Sequence, residues 1–492
     1  MIQTGIAIIG SGFGGVGMAI RLQRAGFHDF VILEKEGDVG GCWRDNTYPG
    51  AACDVPSHLY SYSFEPKFDW SRKFAPQREI HAYIRHCADK YGIRPKIRFQ
   101  TEVSGARFDE ARARWIVETS SGETVEARIL ISACGQLNRP AYPRLKGLES
   151  FKGDTFHSAR WNHEVKLKGK RVAVIGTGAS AIQFVPELVK EVGALTLFQR
   201  SAPYVIPKPD RGYTRAEQAV YARLPRLQEL SRTGLYWQHE ARAFAFGPLK
   251  KLMKVFEYDF HRHLNASVSD PALRKKLTPD YPLGCKRILI SNEYYEALAK
   301  PHVEVVNDGI DAVTETGIRT RDGREHPADA IIFGTGFQAT DFLAPMKITG
   351  RGGQDLNQAW KDGAEAYLGI SVHGFPNLFI LYGPNTNLGH NSILFMLESQ
   401  FDYIEQCLKA MQARQLATMD VKAAVQGKYN RWVQDQIKRT VWEDGCTSWY
   451  KNEAGKNTNN WPGFTLVYKQ RTHALRLGDY ELVGEGQVTR AA

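Results

Sequence analysis

Two glycine-rich turns stand about 165 residues apart, and each is followed at the same distance by a charged residue, of opposite sign in the two cases. Gly10, Gly12 and Gly15 close the apolar run GIAIIG, and Glu34 lies 24 residues after Gly10. Gly176, Gly178 and Ala181 close RVAVIG, and Arg200 lies 24 residues after Gly176. Small residues at this spacing let backbone N–H groups approach a pyrophosphate at a helix N-terminus. A carboxylate at the end of the next strand accepts from ribose hydroxyls. A guanidinium at the same place matches a 2′-phosphate instead. The pair of turns predicts FAD at the first and NADPH at the second, with Ser180 joining the second set.

The elements that must hold these turns are legible around them. Residues 5–10 and 30–34 have the pattern of buried strands, and 14–26 that of a helix stopped at Gly26. Such a βαβ unit requires a parallel sheet covered by helices. The same order returns over 171–200. Between them, Ile80, Tyr83, Ile84, Cys87 and Tyr91 share one helical face, 97–134 reads as a small antiparallel ribbon, and 139–150 as a linker. Residues 214–280 read as helical, 318–337 as a further turn and strand, and 376–381 as a strand; Asn391 and Ser392 can cap a following helix. The expected fold is α/β, with two Rossmann-like dinucleotide-binding domains. One comprises 1–140 with 340–492 and binds FAD; the other, 150–335, binds NADPH and carries a helical insertion over about 211–280.

Composition narrows the class. The chain has 492 residues, 43% hydrophobic and 24% charged, with 64 basic against 53 acidic side chains for a net charge of +11. This is ordinary globular usage. The cations are dispersed, which argues against nucleic acid as partner and is met more simply by anionic cofactors. No apolar run is long enough to span a bilayer, and no secretory leader is visible, so a cytoplasmic location is expected. Seven scattered cysteines (42, 53, 87, 134, 285, 407, 446) form neither a CxxC pair nor any metal-ligand spacing. They are expected to be reduced, and no metal site is expected.

Phe151, Gly153, His157 and Trp161, in FKGDTFHSARW, resemble the FxGxxxHxxxW fingerprint of the Baeyer–Villiger monooxygenases. Gly40-Gly41-Cys42-Trp43 with Tyr48-Pro49-Gly50 and Asp54 is similar to a second signature of that family, and GPNTNLGHNS (383–392) and Ser448-Trp449-Tyr450 also look like it. One departure is Asn162, where the family more often has Pro or Asp. The resemblance covers essentially the whole chain. It implies that NADPH reduces FAD, that O2 then forms a flavin C4a-peroxide, and that one oxygen is inserted beside a ketone carbonyl to give an ester or lactone. It further implies that Arg287 faces the reacting oxygens, that Asp54 is its carboxylate partner, and that Lys286 helps hold the NADPH phosphate. Trp43, Asp54 and Asn385 are then expected at the cofactors, and His157 as a residue positioning the two domains. The helix after Ser392 would aim backbone donors at the flavin's pyrimidine edge. The substrate pocket is expected among 211–280, 340–345 and 388–396. Two other readings stay open: oxidation of N or S in small nucleophiles, and a nucleotide-binding redox sensor.

Overall fold

The computed structural model describes residues 2–446 and 448–488. An eight-stranded sheet runs in the order Lys347–Thr349, Val103–Asp109, Arg114–Thr119, Thr124–Ser132, Ile2–Ile9, Phe30–Leu33, Ile97–Arg98, and Leu378–Ile380 also pairs with Thr124–Ser132. Ile2–Ile9 is flanked by parallel partners on both sides, which is why its last four residues are all buried. Helix Phe13–Arg24 covers one face and packs beside the long helix Ile393–Ala413. The segment 97–134, expected as a small antiparallel ribbon, pairs antiparallel over 103–132. Its last strand nevertheless joins the main sheet, because Ile129 to Ser132 are buried and pair in parallel with Ile6 to Ile9.

A second, all-parallel sheet of five strands has the order Val303–Val306, Ala194–Phe198, Arg171–Ile175, Ala330–Phe333, Asp154–His157. Two stretches of chain cross between the sheets side by side. Pro140 bridges to Phe337, the Ala141 N–H donates to the Gly336 carbonyl at 2.9 Å, and the Gln338 N–H donates to the Arg139 carbonyl at 3.0 Å.

After the strand Ala194–Phe198 the chain leaves this sheet as helices Arg215–Arg223, Pro225–Glu240, Met253–Ser267 and Pro271–Leu277. Thr214 starts the first with a capping box closed by Glu217. Among the described residues no helix is long and apolar enough to cross a membrane. The cysteine expectation needs one correction. Cys285 and Cys446, 161 residues apart, are joined as a disulfide, which ties the segment before Lys286 to the C-terminal part of the chain. Their separation left no local pattern to read.

Candidate active site

The two glycine turns open their helices without side-chain caps, at Gly12 and at Ser180. At the first turn this leaves first-turn N–H groups for an anion such as a pyrophosphate, whereas at the second the Ile182 and Gln183 N–H groups already donate to the Gly178 and Ser180 carbonyls at 3.2 and 3.0 Å. Gly15 is obligatory for another reason: a Cβ there would fall 1.9 Å from the Gly10 carbonyl oxygen. Glu34 is buried beside the first turn and is already engaged. Its Oε2 accepts from the Ser11 N–H at 2.9 Å and from the Ser11 hydroxyl at 2.6 Å, and its Oε1 accepts from the Glu36 N–H at 3.0 Å and pairs with Arg44 at 3.1 Å. The carboxylate thus braces the turn from just past the following strand, and Arg44 is a neighbour the spacing did not reveal.

At the second turn, Gly176 and Gly178 precede helix Ala181–Val189, and Arg200 lies exposed just past the strand Ala194–Phe198. Lys286 Nζ donates to Ser201 Oγ at 3.0 Å and lies 4.1 Å from the centre of the Tyr281 ring. Burial pulls the Lys286 ammonium below its ordinary value; Asp280 opposes this and the Arg200 charge adds to it. Two cations meet here, and neither has a carboxylate partner within ion-pair distance among the described residues. That arrangement fits a phosphate.

The segment 42–54 lies in the seam between the sheets. Gln183, on the helix of the second turn, accepts from Tyr48 Oη at 3.0 Å and from the Ala52 N–H at 3.3 Å, and donates to the Ala52 carbonyl at 3.0 Å. Trp43 donates through Nε1 to Tyr60 Oη at 3.1 Å and packs edge-on to that ring. This seam delivers Asp54 to Arg287. The two form a hydrogen-bonded ion pair, each side chain 29% exposed. The Asp54 charge holds the Arg287 guanidinium far above its usual range against the opposing effect of burial. Burial pushes the Asp54 carboxyl up, but Arg287, with Lys208, brings it below the usual value. The pair is ionised, and the cation is fixed. Tyr382 and Tyr450 stand near Arg287, and burial pushes the Tyr450 hydroxyl up to about 12.

The fingerprint residues have different surroundings. Gly153 is required because a Cβ would meet the Asp329 carbonyl oxygen at 2.4 Å and the Phe151 ring at 2.7 Å. Trp161 packs on Phe156 and Phe184, with centroids 5.1 and 5.4 Å apart. His157 is fully buried at the end of its strand. Its Nδ1 accepts from the Ala159 N–H at 3.0 Å, and its ring lies between Tyr142 on one crossing stretch and Phe337 on the other, at 5.3 and 6.1 Å. Burial lowers its pKa to about 4, so at neutral pH it is an uncharged packing residue at the crossing.

Asn385 is buried, and its amide N–H groups donate to the Asn457 and Asn460 carbonyls at 2.9 and 3.1 Å. It secures the loop before the long helix from within. Ser392 caps that helix by accepting from the Leu394 N–H. Glu240, from the insertion, accepts from Asn391 Nδ2, Thr465 Oγ1 and the Leu466 N–H at 2.8, 2.8 and 3.0 Å. Phe246, His390, Trp442 and Trp461 line a small cavity, and His390 Nδ1, His390 Nε2 and Trp442 Nε1 are buried without partners. The insertion and 388–396 thus contribute to it. From 340–345, Phe342 and Leu343 pack instead in the core against the eight-stranded sheet.

A family model described as pyridine nucleotide-disulphide oxidoreductase matches residues 7–231. A Baeyer-Villiger monooxygenase of Pseudomonas aeruginosa is 49% identical over 479 residues, covering 97% of this chain and 91% of that one. Another, of Streptomyces coelicolor, is 46% identical over 480 residues, covering 97% and 92%. The crystal structure of OTEMO in complex with FAD and NADP matches with a TM-score of 0.89 at 28% identity, covering 98% of this chain and 99% of that one.

Proposed function

The chain belongs to the Baeyer–Villiger monooxygenases, and from that membership and the geometry above we propose how its residues divide the work. The enzyme uses FAD and NADPH to insert one oxygen atom of O2 beside a ketone carbonyl, giving an ester or lactone. When bound, FAD supplies the redox chemistry, accepting electrons from NADPH and passing them to O2. Residues 1–140 with 340–492 hold FAD, through Gly10, Gly12, Gly15 and Glu34, with Trp43 beside it. Residues 150–335 hold NADPH. There Gly176, Gly178 and Ser180 meet the pyrophosphate, and Arg200 with Lys286 meets the 2′-phosphate. A cytoplasmic setting, where NADPH is supplied, goes with this reading.

The observation that carries the chemical assignment is the Asp54–Arg287 pair, built from both halves of the chain. Negative charge builds on the ketone oxygen as the carbonyl is attacked, and a preorganised cation lowers that barrier. Asp54 fixes the planar fork of Arg287 and offsets the cost of withdrawing its charge from water. His157 holds the crossing stretches while the halves close around NADPH. Incubating the holoenzyme with NADPH, ¹⁸O2 and a panel of linear, cyclic and aryl ketones tests the reading. Esters or lactones carrying one labelled oxygen are expected; labelled sulfoxides or N-oxides alone, from added sulfides or amines, would replace it.

A further inference from the structure

The helical insertion has a property that oxygen insertion does not use. Of thirteen exposed large apolar side chains among the described residues, ten lie between Val220 and Tyr258. Scattered single ones are normal on any surface, whereas concentration in one segment of successive helices marks an interaction site. Helix Met253–Ser267 shows the arrangement best. Met253, Phe260 and Leu264 form one stripe, buried against the core. Val255 and Tyr258 extend a second stripe, 60% and 67% exposed. A helix apolar on two sides is ordinarily covered on both. Leu249 and Leu252 continue that stripe through the preceding turn, where the Leu252 N–H donates to the Leu249 carbonyl at 2.9 Å.

Charge decides between occupants. Lys250 and Arg262 are paired, with Asp444 and Asp259. Arg223, Arg226, Lys251 and Lys254 are exposed and have no carboxylate partner among the described residues; Glu229 and Glu257 are exposed and likewise unpaired, so 4 − 2 leaves an excess of two positive charges. Two copies of this chain meeting through the same face would set these cations against one another. An anionic surface would satisfy them. Trp237 and Tyr258, 54% and 67% exposed, are the ring types that settle at lipid headgroup level.

We propose that residues 220–258 dock the protein onto an anionic lipid bilayer, with the apolar side chains entering the headgroup boundary and the four cations meeting lipid phosphates. The attachment is peripheral, since no described helix can span. It goes beyond the oxygen-insertion reading and does not depend on it. The test is sedimentation of the FAD-loaded full chain with vesicles of phosphatidylglycerol and phosphatidylcholine in equal parts, and with phosphatidylcholine alone. Binding is expected to the first and not the second, and to weaken in high salt. Lys251→Glu with Lys254→Glu should lower partitioning at least about fivefold per lysine, the factor equivalent to about 1 kcal/mol of surface attraction. Leu252→Ser with Val255→Ser should abolish it. Both variants alter exposed side chains, so flavin content and NADPH oxidation should stay at wild-type level. Absence of sedimentation, equal sedimentation with both vesicles, or binding unchanged in the lysine variant overturns the proposal. So does a wild-type dimer by light scattering that Leu252→Ser with Val255→Ser converts to monomer.

Discussion

Asp54 and Arg287 are 233 residues apart and form an ion pair in the seam between the two sheets. Asp54 arrives on the segment that Gln183 pins to the second unit, and Arg287 arrives beside Lys286, which donates to Ser201 near Arg200. Lys286 and Arg287, proposed for the NADPH phosphate and for oxygen insertion, are thus adjacent in sequence with different partners in space. Asp54→Ala would leave the guanidinium without its fork partner. A charge-assisted hydrogen bond is worth about 1.5–3 kcal/mol, so ester formation should fall about ten- to a hundredfold. Flavin content, read from its absorbance, should stay unchanged.

Arg200→Ala removes one of the two cations that meet near the second turn, neither with a carboxylate partner among the described residues. The Michaelis constant for NADPH should rise about ten- to a hundredfold, while that for NADH, which has no 2′-phosphate, should move little. Steady-state kinetics with both nucleotides checks this. Equal changes would remove Arg200 from the 2′-phosphate site.

Gln183→Leu keeps the volume and deletes three hydrogen bonds to Tyr48 and Ala52. Unsatisfied backbone groups at Ala52 should cost about 1–3 kcal/mol of stability. The looser seam should also misplace Asp54. We expect a lower denaturation midpoint together with more hydrogen peroxide released per NADPH consumed. A stability loss with unchanged coupling would make Gln183 purely structural.

Burial lowers the pKa of His58, His157 and His239 to about 4 and that of His390 to about 3. In the unfolded chain they titrate near 6.5. The fold therefore holds them neutral at no cost above pH 6.5. Its stability is lost as pH falls from about 6.5 towards 4, because the unfolded state binds more protons there. Each such group contributes up to about 1.4 kcal/mol per pH unit. Denaturant midpoints should fall across that window, and His157→Asn should show a shallower fall than wild type. Identical slopes would contradict the assignment for His157.

The two strand–turn–helix units were legible because their signals are local. Glu34 and Arg200 stand at one fixed offset from their turns, and strand, turn and helix follow within about 30 residues. The fingerprint was legible as a string, but its physical content was not: His157 acts through Tyr142 and Phe337, which are contiguous with it only in three dimensions. Gln183, Glu240 and the Cys285–Cys446 bond escaped for the same reason, since each joins segments more than 100 residues apart. Asn385 is expected at the cofactors from the resemblance, and its amide donations to the 457–460 turn have no local sequence signal. The strand Thr124–Ser132 has an alternating first half and a continuous apolar end. The first half reads as a ribbon, and only its parallel pairing with Ile2–Ile9 reveals the main sheet.

Arg287 is proposed to serve oxygen insertion more than flavin reduction. The most direct measurement follows ester, hydrogen peroxide and NADPH together in one reaction of Arg287→Ala with a ketone accepted by wild type. Loss of one preorganised cation at a developing oxyanion costs about 10²–10³ in rate. Ester should therefore fall by that factor while NADPH is still consumed, with the electrons recovered as hydrogen peroxide. Arg287→Lys should restore little, because a point charge does not reproduce the fork held by Asp54. Ester formation at the wild-type rate in Arg287→Ala would contradict the account.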